Sequence, residues 1–284
     1  MPATLTPAPS PAFPPSLSVP QNGDNLDATQ VATIDQALLD GVEGARLMLY
    51  GGNVKRTVVA ASGTSMTIGP LIAVMAGDNA AGPIDTVVPM LTSVTINPKD
   101  LAGGYFTANT RYWVYAQVSG SPATISAWVV STTAPDATLS YKSDDKSCYL
   151  VSTFWAISTT AYLRYAQNDR YYAYWDRTSL GAGAKGNLAL DTNNTAGTTT
   201  VPWGDSVPTQ SNCAKIEARM TGGAGPEVGM IFGTGIGVGP ASTLSAGLVA
   251  TLHFDCPSSN GQSFDFSLTA GTGNFAAWIA GFWL

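Results

Sequence analysis

The only histidine of the chain is the first candidate for acid–base or metal chemistry. His253 lies two residues before Asp255, and on a β-strand both side chains would point to the same side. A metal site needs at least one further ligand, and a Ser-His-Asp site needs a nucleophile on a strained turn. The sequence has the pattern of neither, so we interpret the pair as polar residues on the solvent face of a strand.

Three other segments resemble ligand sites only in composition. The oxygen-rich segment 22–27 suits Ca²⁺ but lacks the bidentate glutamate of an EF-hand loop, and Asp27 is better explained as a helix cap. The glycine-rich segment Gly233–Pro240 lacks the spacing of a dinucleotide-binding loop and is predicted to be a flexible or bulged β-connection. Asp144–Lys146 is predicted to be a solvated loop. We therefore predict no catalytic residue, no cofactor and no bound metal.

The composition fits a subunit of a larger assembly. Of the 284 residues, 45% are hydrophobic and only 11% are charged, against about 25% charged residues in typical soluble domains. The surface must therefore be built from uncharged polar residues or be covered by neighbouring subunits. The net charge of −6 leaves no basic stripe that could displace counterions, so we expect no nucleic-acid partner.

Cysteines and apolar segments point to a protein made in the cytoplasm without membrane insertion. The three cysteines are widely spaced and form no Cys-x-x-Cys pair, which argues against a disulfide scaffold or zinc knuckle. Cys213 and Cys256 could pair, but isolated buried thiols are the favoured interpretation. The N-terminus lacks the pattern of a signal peptide, and no stretch of about 20 apolar residues is present.

A proline-rich segment opens the sequence. Proline fixes φ and removes a backbone donor, so residues 1–26 are predicted to form neither a helix nor a central strand. We expect an extended arm that becomes ordered only where something outside its own fold holds it.

One short helix is predicted within residues 27–50. Asp27 and Gln30 have the spacing of a capping box, and Gly41 provides a C-terminal stop. A helix of about three turns is marginal alone in water, so its apolar face must dock on its own body or on copies around a symmetry axis. The residues on that face, spaced i, i+3 and i+7, are Val31, Ile34 and Leu38.

After this helix the apolar period changes to two, and we predict antiparallel strands with no second helix. Tyr112–Val118 and Ile125–Ser131 are predicted to form one hairpin. Ala161–Ala166 and Arg170–Trp175 are predicted to form another, with residues 167–169 as its turn. Further predicted strands are Met66–Ile68, Val87–Val88, Val94–Ile96, Ala214–Met220, Val228–Phe232, Leu248–Phe254, Ser263–Thr269 and Ala276–Leu284.

The predicted fold class is all-β, with the arm and helix followed by two antiparallel β-sandwich or jelly-roll-like domains. Residues Ser179–Thr200 are rich in Gly, Ala, Asn and Thr and are predicted to be a linker or long loop. We therefore place a first β domain at residues 51–184 and a C-terminal β-sandwich domain at residues 185–284.

Aromatic residues concentrate around the second predicted hairpin. Such residues bury well in cores and subunit interfaces, which is the favoured interpretation, and they can also form a platform that stacks on sugars. The candidates for an interface or a glycan-binding platform are Tyr162, Tyr165, Tyr172, Tyr174 and Trp175.

Several segments resemble virion appendage proteins of tailed bacteriophages, whose N-terminal segments read P-x-x-I-P-x-D-G-D-x-x-N-A before a short helix. The segments that carry this resemblance are Phe13–Asp24, Asp27–Ala28, Thr107–Tyr115, Ser131–Asp136, Tyr149–Phe154 and Ala277–Leu284. The resemblance implies that the arm docks to the particle, and the residues expected to do so are Phe13, Leu17, Val19, Pro20 and Asp24.

The resemblance implies a non-enzymatic structural protein of the virion, made in the host cytoplasm and assembled with other virion proteins. Such appendages are usually trimers, and one apolar-faced helix per chain suits a small bundle on a threefold axis. The β domains would project to reinforce the particle or to touch the host, and the distal domain could bind a host surface glycan. Two alternatives stay open: a capsid decoration or cement protein, and a depolymerase acting on surface polysaccharide.

Overall fold

The computed structural model of the protein describes eight stretches of the chain. The chain divides into two compact units, Met1–Tyr50 and Gly51–Leu284, and every described residue belongs to the second unit. The described residues are 56–75, 86–120, 123–175, 188–222, 227–233, 241–244, 249–257 and 262–284.

The predicted arm and helix lie outside the described residues and stay predictions. The same holds for the oxygen-rich segment 22–27 and for residues 234–240 of the glycine-rich segment. The predicted docking and helix-face residues concerned are Phe13, Leu17, Val19, Pro20, Asp24, Val31, Ile34 and Leu38.

The described chain is all-β, as predicted, and its strands pair antiparallel in three sheets. One sheet has eleven strands, one has four in the order β7-β6-β9-β8, and β3 pairs with β4 alone. The strands are β1 (Thr57–Ala60), β2 (Met66–Ile68), β3 (Leu71–Met75), β4 (Thr86–Met90), β5 (Val94–Ile96), β6 (Thr110–Ser119), β7 (Thr124–Ser131), β8 (Tyr141–Lys142), β9 (Asp145–Ala156), β10 (Tyr165–Asn168), β11 (Tyr171–Tyr174), β12 (Leu188–Pro202), β13 (Cys213–Gly222), β14 (Glu227–Gly233), β15 (Ala241–Leu244), β16 (Val249–Pro257) and β17 (Ser263–Trp283).

Both predicted hairpins are present. β6 and β7 pair directly, with a register shift at Gln117/Val118. β10 and β11 also pair, but Asn168 lies opposite Tyr171, so the turn is Asp169-Arg170 rather than residues 167–169. Asp169 has a φ of 57°, a left-handed conformation that Asp tolerates and that a tight two-residue turn requires.

A short helix, α1 (Pro98–Leu101), corrects the prediction that no helix follows residue 50. Asn97 caps it by accepting a hydrogen bond from the Lys99 N–H, and Pro98 occupies a first-turn position where no donor is needed. Four residues are too few to show a helical period, so the cap and the proline were its only sequence signals.

The predicted linker Ser179–Thr200 is wrong over its second half, where β12 begins at Leu188. Residues 179–187 lie outside the described part of the chain. The small and polar residues of β12 suggested a loop because they lack an apolar period. They form a strand because β17 offers a continuous partner along nearly their whole length, and threonine favours strands.

β17 also corrects the prediction of two separate strands, since Ser263–Trp283 is assigned as one strand of 21 residues. β16 and β17 run in the same direction, because both pair antiparallel with β13. Cys213 of β13 lies opposite both Pro257, where β16 ends, and Trp283, where β17 ends. The Sγ of Cys256 lies 3.4 Å from the carbonyl oxygen of Ser263, so the start of β17 lies close to its end. A straight strand of this length would span about 70 Å, so β17 folds back.

The fold-back lies where the partner of β17 changes. Residues up to Leu268 pair with β14, and residues from Gly273 pair with β13. On the opposite edge the register with β12 shifts between Thr195 and Gly197. Glycine permits such bends, and the described glycines at this level are Gly197, Gly222, Gly229, Gly271 and Gly273. The folded sheet thus forms two facing layers that bury Val201, Ile216, Met220, Phe264, Phe266 and Ile279.

The large sheet has a face lined by buried residues, which we call the inner face. One row of directly opposed residues crosses seven of its strands, from β2 through β1, β10, β11, β17 and β13 to β16. The row consists of Ile68, Val58, Gln167, Tyr172, Phe282, Ala214 and Cys256, and all seven are buried. Their neighbours along each strand point to the opposite side, which we call the outer face.

The four-stranded sheet packs against the inner face. Ser152 of β9 reaches Tyr165 and Gln167 of β10 with its hydroxyl. Every residue from Val151 to Ala156 is buried, so this half of β9 is covered on both faces, and β3 lies near β6 and β9.

The predicted domain boundary at residue 185 lies outside the described residues. β11 precedes this boundary and β17 follows it, and the two strands pair with each other. Strands from both predicted domains thus share the large sheet within a single compact unit.

Candidate functional surface

An aromatic cluster joins β6 and β9 to the loops that follow α1 and β9. The ring centroids of Phe154 and Tyr162 lie 4.7 Å apart, and those of Phe106 and Phe154 lie 5.4 Å apart. Tyr112 stacks on Phe154 at 5.5 Å with nearly parallel rings. Burial raises the pKa of Tyr162, so this phenol stays neutral. The cluster is core, because all four rings are buried.

A hydroxyl–amide network connects β9 to the large sheet. The Oη of Tyr165 lies 2.6 Å from Oγ of Ser152, and Ser152 donates to Oε1 of Gln167 at 2.7 Å. The Gln167 amide donates in turn to the carbonyl oxygens of Val151 and Asp169. Burial raises the pKa of Tyr165 well above its usual 10. A buried polar network with this many partners fixes the register of the two sheets.

Arg111 lies where three parts of the unit meet. Its Nη2 donates to the carbonyl oxygen of Asp205 at 3.2 Å and to that of Ser206. The guanidinium carbon lies 5.4 Å from the ring centroid of Trp155 and 5.7 Å from that of Phe282. The buried Nε and Nη1 have no hydrogen-bond acceptor, and the two aromatic faces stabilise the charge instead. Arg111 therefore joins β6, β17 and the loop that follows β12.

The five predicted interface or glycan aromatics divide between core and surface. The four tyrosines are buried, with Tyr162, Tyr165 and Tyr172 at most 2% exposed, and their rings cannot stack on a sugar. Tyr174 donates its hydroxyl to the carbonyl oxygen of Ser206 at 2.5 Å and lies beside Phe282. Trp175 is 45% exposed on the outer face. The structure thus places these four tyrosines in the core.

Trp175 has neighbours that the sequence did not single out. Its N–H donates to the carbonyl oxygen of Arg164 at 3.0 Å, so the two residues lie opposite each other where β10 begins and β11 ends. Ala166 and Ala173 form the next opposed pair on the same face, and Val59 lies opposite Ala166. We call these five residues the Trp175 surface. The predicted turn at residues 167–169 would have placed Arg164 opposite Tyr172, so the sequence-based register concealed this pair.

His253 and Asp255 lie on β16 and are both exposed, so the prediction of a polar pair on a strand's solvent face is confirmed. They lie opposite Glu217 and Lys215 of β13. Among the described residues, no group of three or more His, Cys, Asp and Glu side chains is placed to hold a metal ion.

The predicted loop Asp144–Lys146 is only partly correct, because β9 begins at Asp145. Asp144 is exposed in the turn, and its Oδ1 lies 2.5 Å from Nζ of Lys142. Hydrogen bonds from the Ser147 hydroxyl and N–H lower the pKa of Asp145.

All three cysteines are free thiols, as favoured from sequence. Ala214, not Cys213, lies opposite Cys256 on the neighbouring strand, so the two thiols point to opposite faces of the sheet. Side chains that point apart cannot be bridged without backbone movement. Burial raises the pKa of each thiol to about 11, which makes Cys148, Cys213 and Cys256 poor nucleophiles at neutral pH.

Within the described stretches, no helix has the length and apolar character needed to cross a membrane. No protein-family model matches this chain, and no curated protein matches it.

Proposed function

We propose that this protein is a structural subunit of a tailed-bacteriophage virion, a fibre or appendage that docks to the particle through its N-terminal arm. The observation that carries the proposal is the division of the chain into a proline-rich segment and an all-β unit. Residues 1–26 have the composition of an arm, and residues 51–284 form one compact unit.

The properties of the all-β unit support a structural role. The buried aromatic cluster around Phe154, the Arg111 junction and the Ser152 network hold parts of the unit together. Burial raises the pKa of Tyr165, of Tyr172 and of the three thiols, so these groups stay neutral, which suits packing rather than nucleophilic chemistry. A sparsely charged surface suits a protein that works among other subunits.

In this proposal the anchor and the projecting body are separate parts. The predicted helix face of Val31, Ile34 and Leu38 would assemble three copies on an axis, and the β unit would project from it. The other virion proteins are then the partners of the arm.

Deletion of residues 1–26 tests the docking role. We expect the truncated protein to keep the far-ultraviolet circular dichroism and thermal midpoint of the full chain while its incorporation into particles is lost. Incorporation is measured by quantitative immunoblotting of purified virions from a phage that carries the deletion. The matched control deletes only residues 2–12, which keeps every predicted docking residue, and should incorporate normally. Normal incorporation of the longer deletion would overturn the docking role.

Copy number separates an appendage from a capsid cement protein, the second candidate. Cement subunits follow the capsomers and number in the hundreds, whereas appendages are few. Quantitative mass spectrometry of virions, or localisation by electron microscopy of intact particles, distinguishes them.

A further inference from the structure

We draw no further inference here: the strongest candidate, the cluster of buried N–H donors that Arg111 of β6 and Trp155 of β9 form where these two residues lie opposite each other, belongs to the junction already described, and nothing in the described part of the chain shows a space beside these donors that an anion could fill.

Discussion

Asp136 shows how a single carboxylate organises a loop. Its Oδ1 accepts hydrogen bonds from the N–H groups of Ser140 at 3.0 Å and Tyr141 at 3.2 Å, and the Thr138 hydroxyl donates to the same carboxylate. Burial works against ionisation of Asp136, but these hydrogen bonds outweigh it and lower the pKa below its usual 3.8. The ionised form therefore stabilises the turn between β7 and β8.

The lowered pKa predicts acid sensitivity. In the unfolded chain the pKa of Asp136 is about 3.9. Its contribution to the free energy of unfolding is therefore fully present above that pH and is lost as the pH falls through the lower pKa of the folded state. We expect the urea midpoint of the wild type to fall more steeply between about pH 5 and pH 2 than that of Asp136→Asn. The control is Asp144→Asn, since Asp144 is exposed in the next turn. Parallel pH profiles for Asp136→Asn and wild type would contradict the role.

At this scale the sequence indicated residue types better than residue roles. His253 and Asp255 were predicted to be solvent-facing polar residues and are. Arg111 was not singled out, because its partners lie about 44 to 171 residues away along the chain and leave no local pattern. Trp175 was a candidate together with four tyrosines, and the structure buries all four tyrosines.

At the scale of elements, Gly281 marks a close approach between β11 and β17. A Cβ at this position would lie 2.3 Å from the carbonyl oxygen of Tyr172 and 3.1 Å from ring atoms of Tyr171. Backbone atoms of a paired strand cannot move aside without disturbing the sheet. Gly69 is equally close to a neighbour, at 2.1 Å, but that neighbour is the Thr57 hydroxyl.

These two glycines form a matched pair of tests. We expect Gly281→Ala to lower the free energy of unfolding by about 1–3 kcal/mol, because the methyl group forces β11 and β17 apart. Gly69→Ala should cost less, because the exposed Thr57 side chain can rotate away. Denaturant unfolding followed by tryptophan fluorescence measures both. Equal losses for the two variants would show that backbone approach is not what constrains Gly281.

Hairpins were the most predictable elements. Adjacent strands joined by a short turn carry their signals locally, in strand-forming residues and turn residues, as in β6 and β7. The turn of β10 and β11 was displaced by a residue or two because Asp169 adopts a left-handed conformation that composition alone does not locate. β12 was predicted to be a loop because its partner, β17, lies more than 60 residues further along the chain, as the pair Thr200–Asp265 shows.

At the scale of the whole unit, Arg111 is the tie between layers. It connects β6 to the carbonyl groups of residues 205 and 206 and to the Phe282 ring of β17. The guanidinium is partly removed from water. If it lost these partners, water could replace them only where the packing opened.

We therefore expect Arg111→Met to destabilise the protein by about 1–3 kcal/mol, with Arg111→Lys intermediate because an ammonium group retains charge but not the planar fork. Urea unfolding monitored by circular dichroism gives the value. Arg219→Met is the control, since Arg219 is exposed on β13. If Arg111→Met and Arg219→Met have equal midpoints, Arg111 does not tie the layers.

The sequence by itself determined the all-β class, the bounds of strands such as Met66–Ile68 and Val94–Ile96, and the hairpin of β6 and β7. Strand period and turn chemistry are local properties, so they can be read from neighbouring residues. Only the tertiary structure decided the pairing of β1 with β10 and of β11 with β17, and the fold-back of β17 at a line of glycines. Those features depend on contacts between segments far apart in the chain, and no short stretch of sequence encodes them.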